Sequence, residues 1–141
     1  MAKDVQAIML DVGNTLRIVR KDPEFMAQSK REIAKLIGTE MEPEAFWEFL
    51  ESRYQVLRKR AKTQLIEASE KEMWTKCKLP DYPAEKIAPL SGRLTRLWRD
   101  CDGRRVPRDD VSETVIELKR RGYNLCIIAN TITETEIPDY L

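Results

Sequence analysis

The stretch Val5-Gln-Ala-Ile-Met-Leu-Asp-Val-Gly-Asn-Thr15 begins with a nearly continuous apolar run and ends at an aspartate and a Gly-Asn turn. An apolar run of strand length with no polar alternation reads as a β-strand covered on both faces, as at the centre of a parallel sheet. In open parallel sheets ligands collect at the loops that follow strand C-terminal ends. The turn Asp11–Thr15 is therefore the first place to look for chemistry. Asp-x-Gly-Asn is also ordinary turn composition, so this stretch alone leaves a plain turn and a functional loop equally open.

A second run of the same kind lies far downstream. Leu125-Cys-Ile-Ile-Ala129 follows Tyr123, reads as another buried strand, and ends at Asn130-Thr131. It is preceded by a helix opened by Asp109-Asp110, with Val111, Val115 and Leu118 at helical spacing. That helix closes at Lys119-Arg-Arg-Gly122, with cations in the last turn and glycine just after it. Small and amide residues at the second strand's end suit a loop whose backbone N–H groups meet a phosphate.

Between the two strands the pattern is helical. Asp22-Pro23 is a start signal, with a capping carboxylate before proline. Phe25, Ile33, Leu36 and Ile37 follow, and Gly38 closes the helix. Phe46, Phe49, Leu50, Tyr54 and Leu57 mark a second amphipathic helix. Shorter helical patterns occur around Met73-Trp74 and across Ile87, Leu90, Leu94, Leu97 and Trp98, before a turn at Asp102-Gly103. The aromatics, including Trp47, Trp74 and Trp98, read as core packing. The expected fold class is α/β: a partial core from residues 1–15 and 102–141, and a helical insertion over residues 16–101. Because the insertion leaves from the loop after the first strand, it is expected to overhang the ligand site.

Composition narrows the chemistry. The 141 residues carry 25 basic and 24 acidic side chains, a net charge of +1, which gives no global attraction to nucleic acid or an anionic membrane. Histidine is absent, so acid-base or metal chemistry must rest on carboxylates, hydroxyls, lysine or thiol. Cys77, Cys101 and Cys126 form no CxxC pair and read as reduced thiols. No apolar run approaches the roughly 20 residues of a membrane span, and the first residues carry no signal-peptide pattern; the expected location is cytoplasmic. Arg93, Arg96 and Arg99 recur at helical spacing, and Arg58-Lys-Arg60 lies on the second helix. These are read as a solvated face, or as a surface that recruits an anionic substrate.

Taken together, Leu10-Asp-Val-Gly-Asn-Thr-Leu16 resembles the first motif of the haloacid-dehalogenase-like hydrolases, and Arg121-Gly-Tyr-Asn-Leu-Cys-Ile-Ile-Ala-Asn-Thr131 resembles their second. The helices between resemble the family's inserted all-helical cap. The resemblance implies an incomplete Rossmann-like core with two parallel strands. It implies hydrolysis of a small phosphorylated substrate, with Asp11 attacking phosphorus to form an aspartyl-phosphate. It implies Mg2+ held by Asp11 and by the backbone carbonyl of Gly13, with Thr15 tying the loop and Ala129 and Asn130 lining the phosphate pocket. Carbon–halogen hydrolysis through Asp11, without metal, is the enzymatic alternative. An inert pseudo-hydrolase or fragment acting as a binding module is the other.

Three departures qualify what the resemblance implies. Gly13 stands where phosphatases of the family often carry a general-acid Asp, and its loss typically costs on the order of 10²–10⁴-fold. Ala129 stands where a Ser or Thr hydroxyl would meet phosphate. The family's later Lys and acidic pair have no counterpart up to Leu141. The chain is accordingly expected to lack a complete active site. It is also expected to leave apolar strand surface without cover, favouring self-association or rescue by a separate C-terminal portion.

Overall fold

The computed structural model describes residues 5–130. The chain is mixed α/β and divides into two compact units, one formed by residues 22–103 and the other by residues 5–21 with 104–130.

The first unit is helical. Helix α1 (Pro23–Ile37) begins where the Asp22 carboxylate accepts the Phe25 N–H at 3.0 Å, satisfying one of the unpaired donors of the first turn. It ends at Gly38, whose φ of +73° suits glycine and brings its N–H back to the Ala34 and Lys35 carbonyls. Helix α2 (Pro43–Gln64) follows. The short α3 (Glu70–Glu72) opens with a capping box in which Ser69 and Glu72 satisfy each other's backbone N–H. It runs directly into a π-helical turn, Met73–Lys78. Helix α4 (Ala84–Ile87) leads through a 3₁₀ turn into α5 (Ser91–Asp100).

These helices close over Ile33, Phe46, Leu50, Met73, Trp74, Leu79, Leu94 and Cys101, all completely buried. Large apolar side chains contribute roughly 1.5–3 kcal/mol each on burial, so this cluster dominates the unit's stability. The one polar edge of Trp74 is satisfied within the core. Its Nε1–H donates to Thr95 Oγ1 at 2.7 Å, and that hydroxyl donates to the Ser91 carbonyl at 2.9 Å. The aromatic residues read from the sequence as packing do pack: Tyr54 and Trp98 meet edge to face at 4.6 Å, and Trp74 and Trp98 at 6.5 Å.

The second unit holds β1 (Ala7–Leu10), β2 (Arg17–Arg20), β3 (Arg104–Pro107), α6 (Val111–Arg120) and β4 (Asn124–Ile127). Strands β1 and β4 pair in parallel, with Ile8 beside Leu125 and Leu10 beside Ile127. The two strands read from the sequence are therefore present and parallel, but they are not buried on both faces. Ile8, Leu10 and Leu125 are half-buried, whereas Met9 is 67% exposed and its neighbour Cys126 is also exposed. Period-2 geometry sends these residues to opposite faces. The apolar run hid the difference because its exposed positions are Ala7 and Met9 rather than charged residues. The described part of Leu125–Ala129 is likewise strand only to Ile127, with Ile128 60% exposed.

Strands β2 and β3 pair antiparallel, an element the sequence pattern does not announce. Arg17–Arg20 falls within the stretch expected to be helical insertion; it forms a strand instead because Ile18 and Val19 are β-branched and find β3 as a partner. Among the described residues no helix is long and apolar enough to cross a membrane.

Candidate functional site

Asp11 follows β1 directly and is solvent-exposed. The loop around it is built by backbone bonds. Val12 turns its side chain into the unit, 3% exposed, while its carbonyl accepts the N–H groups of Thr15, Leu16 and Arg17 at 3.3, 3.0 and 3.0 Å. Asn14 occupies the left-handed region at φ +60°, which asparagine tolerates better than most residues. Its N–H returns to the Arg17 carbonyl at 2.8 Å. The Thr15 hydroxyl donates to Asp11 Oδ2 at 3.2 Å. One carboxylate oxygen is thus held by the loop.

Gly13 pairs with Arg17 in an isolated β-bridge. A Cβ built at Gly13 meets nothing within 4 Å, so sterics do not require glycine there. On the neighbouring strand, the Ile128 N–H donates to the Leu10 carbonyl at 3.0 Å. The segments that carry Asp11 and Ala129-Asn130 therefore leave the same end of the parallel sheet side by side. Ala129 and Asn130 are exposed; Thr131 lies outside the described residues. The site residues named from the sequence fall into one pair joined by a hydrogen bond, Asp11 with Thr15, and one adjacent loop end. Among the described residues no cluster of three or more acidic, cysteine or histidine side chains could hold a metal ion.

Lys78 is a site that sequence reasoning missed. This side chain is completely buried, yet it carries an amine. Its Nζ lies 3.4 Å from the Trp98 ring centre, 4.8 Å from Tyr54 and 5.3 Å from Trp74, and donates to the Leu50 carbonyl at 3.2 Å. Burial pushes its pKa down to about 7, against smaller upward pulls from Glu51, Cys101 and Cys77. Lysine normally marks an exposed helix face, so periodicity could not have found it.

Comparison with protein-family models, with curated proteins and with solved structures gave no match.

Proposed function

We propose that the chain is a haloacid-dehalogenase-like hydrolase whose Asp11 attacks phosphate monoesters, on a partial Rossmann-like core with the helical unit as its cap. The observation that carries this reading is the parallel pairing of β1 and β4, which brings Asp11 and the Ala129-Asn130 segment to the same end of the sheet. In the proposed reaction Asp11 Oδ1 forms a bond to phosphorus as the ester oxygen leaves with the bonding pair. Position 13 is glycine, so that oxygen takes its proton from water, and esters of acidic alcohols and phenols are the favoured substrates. Water then attacks phosphorus, the bond to Asp11 breaks, and inorganic phosphate and the free carboxylate are released. Thr15 holds Oδ2 throughout and keeps the carboxylate aimed.

Mg2+ is the proposed cofactor. The Asp11 carboxylate and the Gly13 carbonyl would be its protein donors, and an ion that commonly keeps several waters and substrate oxygens tolerates so small a set. When bound it supplies neutralisation of the phosphate charge. A second reading, an inert binding module, is favoured by Gly13 and Ala129, which remove the acid and the phosphate-facing hydroxyl together.

Turnover of an aryl phosphate tests the first reading. Activity should require Mg2+ and vanish in Asp11→Asn, and Gly13→Asp should help poor leaving groups most. Chelator-insensitive cleavage of a haloacid would point instead to the dehalogenase chemistry, and loss of neither activity nor binding in Asp11→Asn would remove Asp11 from the mechanism.

A further inference from the structure

We propose that the C-terminal half of α2 and the turn after it dock on an anionic lipid bilayer. Arg58, Lys59 and Lys62 face the head groups, and Leu65 and Ile66 enter the boundary beneath them. The proposal belongs to the helical unit alone and stands apart from the Asp11 reading.

Two independent observations carry it. The first is charge sorted to one face, which the net charge of +1 conceals. From Ser52 to Ile66 the chain holds Arg53, Arg58, Lys59, Arg60 and Lys62 and no carboxylate. At 3.6 residues per turn, Gln55, Val56, Lys59, Lys62 and Thr63 lie opposite Leu50, Leu57 and Ala61, with Arg58 at the flank. Burial agrees: the first five and Arg58 are exposed, Leu50 is buried, and Leu57 and Ala61 are half-buried. Among the described residues Arg58, Lys59 and Lys62 make no ion pair and no side-chain hydrogen bond. The other two cations are spent elsewhere. Arg53 is paired with Asp81, and Arg60 bonds Gln64 in a cleft where Lys76, Glu67 and Glu72 balance its charge. Of the nearest carboxylates, Glu67 lines that cleft, and Glu51 accepts from Gln55 about 10 Å along the helix from Arg58. Arg58 with Lys62, and Lys59 with Lys62, are like charges at neighbouring helical positions and repel. Only Lys62 lies in the last turn, where the helix dipole favours a cation. An anionic surface relieves the repulsion of all three.

The second observation is an apolar tip at the end of this basic face. Leu65 caps α2 in the left-handed region, at φ +54°, a conformation that bulky side chains rarely take and glycine takes freely. Its side chain is 90% exposed, and those of Ile66 and Val56 are 69% and 72% exposed. Adjacent large aliphatic side chains in water, bordered by unpaired cations, match the bilayer interface. There cations meet anionic head groups while aliphatic side chains reach the acyl boundary. Lys62 stands about one helical turn, roughly 5 Å, from Leu65. The long lysine and arginine stems let the charges stay at head-group level while Leu65 and Ile66 sink. A nucleic-acid strand would also engage the cations, but its bases stack on aromatic rings, and residues 55–67 contain none.

Co-sedimentation of the full chain with phosphatidylcholine vesicles, with and without phosphatidylserine, tests the proposal. Binding should require phosphatidylserine and weaken as salt rises. One cation near an anionic surface is worth about fivefold in partitioning, so Lys59→Gln/Lys62→Gln should bind about 25-fold more weakly. Lys59→Arg/Lys62→Arg should bind like wild type, which separates lost charge from a damaged helix. Leu65→Gly suits the left-handed turn and so spares the fold. Combined with Ile66→Ser, it should lose roughly tenfold for each side chain withdrawn from the boundary. No binding to phosphatidylserine vesicles, equal binding to both vesicle types, full binding by the glutamine variant or by the glycine–serine variant, or tighter binding of a single-stranded oligonucleotide at the same salt would each overturn the proposal. Turnover at Asp11 is not read by this assay, so the two proposals fail separately.

Discussion

Replacing Lys78 by methionine should stabilise the helical unit, and the gain should depend on pH. Lys78 is fully buried among Tyr54, Trp74 and Trp98, and burial lowers its pKa from 10.5 to about 7. The titratable groups facing it are Glu51 on α2, Cys77 in the π-helical turn and Cys101 after α5. From pH 7 to 10.5 the folded state binds fewer protons than the unfolded chain, so stability rises with pH across that window. Below pH 7 both states are protonated and the penalty is complete and constant. Each pH unit is worth at most about 1.4 kcal/mol, and the full penalty approaches ~5 kcal/mol. The three ring faces favour the ammonium and return roughly 2 kcal/mol of it. The Lys78→Met variant should therefore gain about 2–4 kcal/mol at about pH 6.5.

Methionine fits the site by length and flexibility, and the Leu50 carbonyl keeps the N–H that α2 supplies four residues on. Tyr54 and Cys101 set the upper limit of the useful range. Burial raises both, Cys101 from 9.0 to about 12, so their contributions are intact below pH 9 and are lost above it. The assay is urea unfolding followed by tryptophan fluorescence between about pH 6 and 9. All three tryptophans, Trp47, Trp74 and Trp98, lie in this unit, so the signal reports it alone. The wild-type midpoint should climb toward the Lys78→Met midpoint as pH rises. A variant less stable than wild type at about pH 6.5, or two parallel pH profiles, would refute the assignment of a burial penalty to Lys78.

Other expectations follow from single contacts. Thr95→Val should cost about 1–3 kcal/mol, because the buried Trp74 N–H loses its acceptor at 2.7 Å; urea midpoints measure it. Asp22→Ala should cost about 1 kcal/mol by removing the α1 cap, and Asp22→Asn should restore most of it. A thiol reagent at about pH 8 should label exposed Cys126 within the native protein and leave Cys101 untouched until unfolding, since burial holds that thiol protonated.

The helical unit was legible where local rules decide the structure. Asp22-Pro23 and Gly38 bound α1 as read, and Phe46, Leu50 and Leu94 lie in its core. What escaped were features set by tertiary partners. Arg17–Arg20 is too short and too charged to read as a strand until β3 pairs with it. Met73–Lys78 carries a helical pattern, but nothing in it specifies the wider π turn or the inward course of Lys78. At the candidate site, the loop chemistry of Asp11 and Thr15 was readable because both lie within one turn. The pairing of β2 with β3 beside that loop was not, since the two strands are separated in sequence by the whole helical unit.

The central claim is that Asp11 is a phosphoryl acceptor, and a direct measurement is intact and peptide mass spectrometry after incubation with acetyl phosphate and Mg2+. One added phosphoryl group, labile to hydroxylamine and located by fragmentation to Asp11 in the peptide that ends at Arg17, is the predicted result. It should be absent from Asp11→Asn and without Mg2+, and less abundant in Thr15→Ala, which frees the carboxylate to rotate. No adduct under any of these conditions, or an adduct that persists in Asp11→Asn, would contradict the account.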